Sequence, residues 1–112
     1  DIHPALSESA ARRLQSLAVK NVELVAGDGL NASFAPGSFD AIAVTGSLPD
    51  YPESLETLLA PGGRMFVVVG EAPTMTAMLV SRNADGETWK DGLFETSLPV
   101  LENAAQPDHF IF

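Results

Sequence analysis

Apolar residues recur at helical spacing near the start of the chain. They stand four, four and three residues apart, so they would form one stripe along a helix. The stripe consists of Leu6, Ala10, Leu14 and Leu17. Pro4 suits the first turn, where its missing N–H group costs no hydrogen bond. This pattern predicts a helix over residues 3–18.

Three short apolar runs then predict β-strands over residues 22–26, 39–45 and 64–70. The second run is almost continuously apolar, which is typical of a strand covered on both faces. The third is rich in β-branched residues and is bounded by glycines. Between the first two runs, the sequence is rich in Gly, Ser and Asn, which favours a loop.

Residues 50–60 predict a second helix. Asp50 is a good N-cap, Pro52 suits the first turn, and Glu53 completes a capping box. Its buried face would hold Leu55, Leu58 and Leu59. Pro61-Gly62-Gly63 would end it.

The order of these elements indicates the fold class. Helices alternate with strands, which favours parallel strands joined by right-handed crossovers in an α/β fold. Residues 75–82 and 88–98 are strand-like, and the sequence NADG between them predicts a turn, so an antiparallel hairpin should complete the sheet. We expect residues 1–112 to form a single α/β domain.

Composition argues against several classes of partner and of chemistry. The chain has 112 residues and a formal net charge of −9, with only six basic residues, so it lacks the cationic surface that nucleic acids or anionic membranes require. It has no cysteine, which excludes disulfides and thiolate chemistry and fits a reducing compartment. No apolar run approaches the roughly 20 residues of a membrane helix. We expect a soluble, cytoplasmic protein.

Ligands of open α/β sheets bind beyond the carboxyl ends of the strands. Three loops should meet there: residues 27–30, 45–49 and 70–72. Asp28, between two glycines, could accept hydrogen bonds from a ligand. It could equally form an Asx-turn within its own loop.

Other candidates favour structural roles. His3 and His109 are too far apart in sequence to suggest a metal site, so none is expected. Ser47 lacks the G-x-S-x-G elbow of a hydrolase nucleophile. Glu71 could touch a substrate or cap a turn, and we favour the cap. For Trp89 we favour packing in the hairpin over a stacking platform. The methionines Met65, Met75 and Met78 should fill the core.

The segments NVELVAGDGL, FDAIAVTGSLPDYPESL and LLAPGGRMFVVVGE, in this order and spacing, resemble the C-terminal half of a protein-L-isoaspartate O-methyltransferase. That family transfers a methyl group from S-adenosylmethionine to the abnormal carboxylate of isoaspartyl residues and so begins the repair of aged proteins. The resemblance implies a Rossmann-like sheet of order 3-2-1-4-5-7-6, with strands 1 and 2 missing here. It implies no acid–base catalytic residue, since the acceptor carboxylate is already a nucleophile.

The resemblance also implies two sets of binding residues. The set for the cofactor S-adenosylmethionine is Gly27, Asp28, Gly29, Leu30, Thr45 and Gly46. The set for the isoaspartyl substrate is Ser47, Leu48 and Pro49.

The family's glycine-rich E-x-G-x-G-x-G loop and the acidic residue that holds the ribose are not found in this sequence. We therefore expect a C-terminal fragment or a naturally truncated chain that binds S-adenosylmethionine weakly or not at all and is inactive alone. Residues 22–26 and 39–45 would have bare edges, so they should pair with each other or recruit a second copy as a homodimer or by strand exchange. The alternatives are a non-catalytic α/β interaction module and a methyltransferase acting on a small molecule.

Overall fold

A computed structural model describes residues 1–104. The chain divides into two compact units. The first is Asp1–Ser33, and the second begins at Phe34.

The first unit holds the predicted N-terminal helix. Helix α1 spans Pro4–Ser16, with Pro4 in its first turn as expected, and His3 occupies the N-cap position without a capping side-chain bond. None of the residues of α1 is buried, and Leu6 of its apolar stripe is 55% exposed. The pattern therefore predicted the helix correctly, although its apolar face lies open in this unit.

The predicted strand over residues 22–26 is wrong for this chain. No strand is assigned there, and Val22, Leu24 and Val25 are all exposed. The amino group of Asp1 donates a hydrogen bond to the Val25 carbonyl at 3.0 Å, which is not a strand ladder. A period-2 apolar pattern favours extended backbone, but a strand also needs a partner for its N–H and C=O groups.

The second unit is built on a four-stranded sheet. In chain order its elements are β1 (Phe39–Leu48), α2 (Glu53–Glu56), β2 (Leu59–Glu71), β3 (Thr74–Arg82) and β4 (Thr88–Thr96). Strands β1 and β2 are parallel, and the pairs β2–β3 and β3–β4 are antiparallel, in the order β1-β2-β3-β4. The α/β class and the terminal hairpin are confirmed. The order 4-5-7-6 implied by the resemblance would place the last strand of the chain beside β2. In the structure β3 lies there and β4 lies at the edge, so this part of the expected order was wrong.

Helix α2 is shorter than predicted. It covers only Glu53–Glu56, and its N-cap is Pro52 rather than Asp50. The last two residues of the predicted helix, Leu59 and Ala60, belong to β2 instead. Leu59 is fully buried and pairs with Phe39.

The Pro61-Gly62-Gly63 turn lies inside β2 and does not end a helix. Leu59 and Arg64 face Phe39 and Ala41 of β1, so four residues of β2 oppose one of β1. Gly62 has a φ of +82°, and a Cβ on Gly63 would lie 2.8 Å from the Ala60 carbonyl oxygen. Both positions therefore require glycine to make the bulge.

The core lies on the two central strands. Its fully buried side chains include Leu59, Met65, Val67, Val68 and Val80. Met75 and Ala77 join Val68 in a cluster against which Phe66 and Leu98 pack. The core roles predicted for Met65 and Met75 are confirmed, and Met78 is half-buried.

The two outer strands are more exposed than expected. In β1, Ala41, Ala43 and Thr45 are exposed, so the expectation of a strand covered on both faces is wrong for the described chain. In β4, Trp89 is 52% and Phe94 56% exposed, so Trp89 does not bury itself in the hairpin as expected. Ala77 pairs with Phe94 and Met78 with Gly92, which leaves Leu93 as one extra residue in β4. Among residues 1–104, no helix is both long and apolar enough to span a bilayer.

Candidate functional site

The loop that follows residue 26 is organised by Asp28. Its Oδ1 accepts a hydrogen bond from the Leu30 N–H at 3.0 Å, and its Oδ2 accepts one from the Asn31 side-chain amide at 2.8 Å. The Asn31 N–H donates to the Asp28 carbonyl at 3.1 Å. Asp28 therefore forms the Asx-turn that was one of its two interpretations. Each carboxylate oxygen keeps a further lone pair for a ligand.

The two glycines beside Asp28 are not required by the fold of their own unit. Neither has a positive φ, and a Cβ on Gly27 or Gly29 would meet no atom within 4 Å. The Gly27 N–H donates to the Asp1 carbonyl at 2.8 Å. Any residue could thus adopt this backbone. The space beside both glycines is free of atoms of the described chain and could admit a ligand.

The carboxyl end of β1 is irregular where the sequence predicts binding residues. Ala43 pairs with Phe66 and Ser47 with Val68, so residues 44–46 oppose the single residue Val67. The strand bulges at this point. Bulges often re-aim side chains beside active sites, and here Thr45 is exposed while Val44 is 8% exposed.

Ser47 joins this strand end to the chain that follows β4. Its hydroxyl donates to the Leu98 carbonyl at 3.0 Å, and its N–H donates to the Pro99 carbonyl at 2.9 Å. Its own carbonyl accepts from the Leu101 N–H at 2.9 Å, and it forms a parallel bridge with Val100. Ser47 is fully buried, so its hydroxyl serves to join the end of β1 to residue 98. Its predicted contact with a substrate stays a prediction.

Packing is sufficient to explain a glycine at position 46, and its predicted contact with the cofactor stays a prediction. A Cβ there would lie 2.5 Å from Leu101 Cδ2 and 3.4 Å from the Pro99 carbonyl oxygen. Leu48 is only 4% exposed and belongs to the core. Of the residues predicted at this strand end, Thr45 and Pro49 have the most accessible positions.

A pocket of about 560 Å³ opens at the carboxyl ends of β1 and β2. Ser47 and Pro49 line it from β1, and residues 70–72 line it from the end of β2. Two of the three loops expected at this edge therefore meet. The third, residues 27–30, belongs to the first unit and is described by itself.

Sequence reasoning missed part of this pocket. Met75 and residues 97–100 also line it, and the Leu98 N–H donates to the Met75 sulfur at 3.3 Å. Pro99, after the predicted hairpin, was the one available signal that the chain leaves the sheet there. Glu71, expected to cap a turn, lies in the same lining.

A polar cluster beyond Pro49 was also missed. The Lys90 ammonium lies 3.7 Å from the centroid of the Tyr51 ring. The Tyr51 hydroxyl is buried and finds no hydrogen-bond partner of good geometry among the described residues. Burial raises the pKa of Tyr51 above its ordinary value. The Glu56 carboxylate beside the hydroxyl, and then Glu53, raise it further, and Arg82 opposes this rise.

No group of three or more potential metal ligands occurs among residues 1–104. His109, weighed as a structural histidine, lies outside the described residues.

The family comparison extends over most of the chain. Residues 1–102 match the model of the protein-L-isoaspartate(D-aspartate) O-methyltransferase family. A protein-L-isoaspartate O-methyltransferase of Trichlorobacter lovleyi is 40% identical over 97 residues, which are 86% of this chain and 45% of the relative. Another, from Anaeromyxobacter, is 40% identical over 107 residues, which are 94% of this chain and 50% of the relative. The chain thus spans about half the length of these curated relatives.

Solved structures show the same fold. The crystal structure of a Plasmodium falciparum protein described as a protein-L-isoaspartate O-methyltransferase, in complex with S-adenosyl-L-homocysteine, matches with a TM-score of 0.76 at 22% identity. That match covers 91% of this chain and 50% of that one. A second structure named protein-L-isoaspartate O-methyltransferase matches with a TM-score of 0.75 at 27% identity, covering 92% and 33%. This chain belongs to the protein-L-isoaspartate O-methyltransferase family.

Proposed function

We propose that this chain supplies part of the cofactor site and the acceptor side of a methyltransferase acting on isoaspartyl residues. Residues 27–30 would contact the adenosyl part of S-adenosylmethionine, and residues 45–49 would lie between the methyl donor and the peptide. The bulged end of β1, which opens on a pocket at the carboxyl edge of the sheet, is the observation that carries this proposal. The family membership and this position for ligands in α/β folds both support it.

The first loop suits an adenosyl group in two respects. Open space above Gly27 and Gly29 lets a ligand reach backbone N–H and C=O groups. The Asx-turn holds the Asp28 carboxylate in place, so it can accept a further hydrogen bond from an amino or hydroxyl group without first becoming ordered. S-adenosylmethionine, when bound, would supply an electrophilic methyl group on a positively charged sulfur.

Residues 45–49, at the carboxyl end of β1, would orient the isoaspartyl acceptor. An isoaspartyl carboxylate oxygen attacks the methyl carbon as the carbon–sulfur bond breaks, which gives a methyl ester and S-adenosylhomocysteine. No proton moves in this step, so the protein contributes mainly proximity and in-line orientation. Ser47 ties the strand end to residues 98–101 through a network of hydrogen bonds, which would keep Pro49 fixed at the wall of the pocket.

The test compares two preparations. The complete product of the gene that encodes this chain should transfer a labelled methyl group to an isoaspartyl peptide and not to its normal aspartyl counterpart. Methylation of a small molecule alone, or no methylation, would refute the proposal. In calorimetric titration, the 112-residue chain by itself should bind S-adenosylmethionine weakly or not at all, and micromolar binding would contradict this expectation.

We also propose self-association through the bare edge of β1, and a cytoplasmic location. Among the described residues, β1 is an outer strand whose edge is bridged only at Ser47, by Val100, which supports the first. The lack of cysteine suits the second. Light scattering that finds only monomers would exclude the first, and fractionation of cells would test the second.

A further inference from the structure

We propose that Tyr51 and Lys90 form a clamp that positions the acceptor side of the site, a role that rests on the proposed function. The clamp joins the segment that leaves β1 to the strand at the opposite edge of the sheet. Tyr51 comes two residues after Pro49, which lines the pocket. Its ring lies under the Lys90 ammonium at 3.7 Å.

The segment after β1 is ordered locally as well as by the contact with Lys90. Pro52 is buried, and the Tyr51 carbonyl accepts a hydrogen bond from the Glu53 N–H at 3.1 Å. Lys90 pairs with Val80, which is fully buried. Cross-strand partners project from the same face of a sheet, so Lys90 reaches the Tyr51 ring from the face that buries Val80.

The Tyr51 ring, rather than its hydroxyl, makes this contact. The hydroxyl is buried beside the Glu56 carboxylate but makes no hydrogen bond of good geometry among the described residues, so it takes no part in the contact with Lys90. A cation over an aromatic face is attracted by the ring's electrons. Phenylalanine would therefore serve as well as tyrosine, and arginine as well as lysine.

Arg82 closes the far end of the same segment. Its guanidinium donates to the Leu59 carbonyl and to the Glu56 carbonyl, both at 3.1 Å. These bonds fix the turn from α2 into β2. Lys90 thus holds the start of α2 through Tyr51, and Arg82 holds its end. The connection from Pro49 to Leu59 is therefore restrained at both ends, and so is the pocket wall at Pro49.

The experiment measures steady-state kinetics of the complete gene product. Lys90→Met and Tyr51→Leu should each raise KM for the isoaspartyl peptide by about two- to fivefold, the fold-change of an exposed cation–π contact. KM for S-adenosylmethionine should not change. Lys90→Arg and Tyr51→Phe should behave like the wild type, and the double variant should be no worse than either single one. Lys20→Met removes a cation from the other unit and serves as the charge control.

Several results would overturn the clamp. One is an unchanged peptide KM in Lys90→Met, and another is a parallel rise of both KM values that follows a fall in thermal stability. A defect of Tyr51→Phe as large as that of Tyr51→Leu would assign the role to the hydroxyl instead.

A second measurement separates this inference from the proposed function. Amide hydrogen exchange of Glu53 in the 112-residue chain should be about two- to fivefold faster in Lys90→Met than in Lys90→Arg. If the wild type methylates no isoaspartyl peptide, the proposed function fails, and the exchange rates still decide the clamp. Equal exchange in the two variants would refute it.

Discussion

Alanine at Gly46 should destabilise the chain, because its methyl group would collide with Leu101. A Cβ on Gly46 would lie 2.5 Å from Leu101 Cδ2 and 2.9 Å from its Cγ, whereas ordinary contacts lie at 3.4–4 Å. The backbone of Leu101 cannot simply retreat, because its N–H donates to the Ser47 carbonyl at 2.9 Å. Overpacking of this kind costs about 1–3 kcal/mol.

Urea unfolding of the 112-residue chain measures this cost. With a slope of about 1–3 kcal/mol per molar urea, the midpoint of Gly46→Ala should fall by roughly 1 M. Gly92→Ala is the matched control, because a Cβ there would make an ordinary 3.5 Å contact with Thr76 Cγ2. Its effect should stay within about 0.5 kcal/mol.

The decisive comparison is the same replacement in a Leu101→Ala background. Removal of the Leu101 side chain makes room, so Gly46→Ala should then cost less than about 0.5 kcal/mol. An equal cost in both backgrounds would show that the collision with Leu101 is not the cause. The result bears on function, because it separates a glycine kept for packing from one kept for a cofactor.

Three further predictions concern single side chains. Tyr51 is the only tyrosine, so its absorbance should report a pKa above the ordinary 10.0 in the folded chain and near 10.0 in urea. The folded state then holds its proton longer than the unfolded state, so stability should fall as pH rises above about 10, and Tyr51→Phe should lack this fall. Arg82→Met should lower the free energy of unfolding by about 2–4 kcal/mol, because two carbonyls lose a charged donor, and Arg82→Lys should recover part of it in the same urea assay. Asp28→Asn should keep the Asx-turn and cost under about 0.5 kcal/mol, whereas Asp28→Ala should cost about 1 kcal/mol by chemical denaturation; equal losses would mean that the turn does not depend on the side-chain oxygen.

The sequence predicted elements whose partners lie nearby in the chain. The β3–β4 hairpin follows from the NADG turn, and its first residue, Asn83, accepts hydrogen bonds from the Asp85 and Glu87 N–H groups through its side-chain oxygen. The strand around Val67 follows from a β-branched run between glycines. In such cases, local chemistry and tertiary packing favour the same structure.

Elements that depend on distant partners were predicted less well. Residues 22–26 have a strand pattern but no ladder in the described chain, so they remain unpaired. Leu59 has a helical position in the sequence, yet it pairs with Phe39 and becomes part of β2. Periodicity contains no information about such long-range competition.

The candidate site shows the same division. The two loops at the carboxyl edge of the sheet follow from strand order, and Gly46 inside an apolar run was an available signal for a bulge. The wall formed by residues 97–100 and the contact between Tyr51 and Lys90 depend on sequence separations of about 40–50 residues. A short sequence motif does not predict contacts over such separations.

The extra residue Leu93 has a consequence for how this chain resists aggregation. An outer strand with exposed Trp89 and Phe94 would ordinarily be a template for adding strands from other molecules. Among residues 1–104, no strand pairs with the outer edge of β4, and the bulge at Leu93 interrupts the regular spacing of the N–H and C=O groups along that edge. Lys90 and Asp91 place charges beside the bulge. Trp89 and Phe94 are therefore exposed on a strand whose bulge disfavours the regular addition of a further strand.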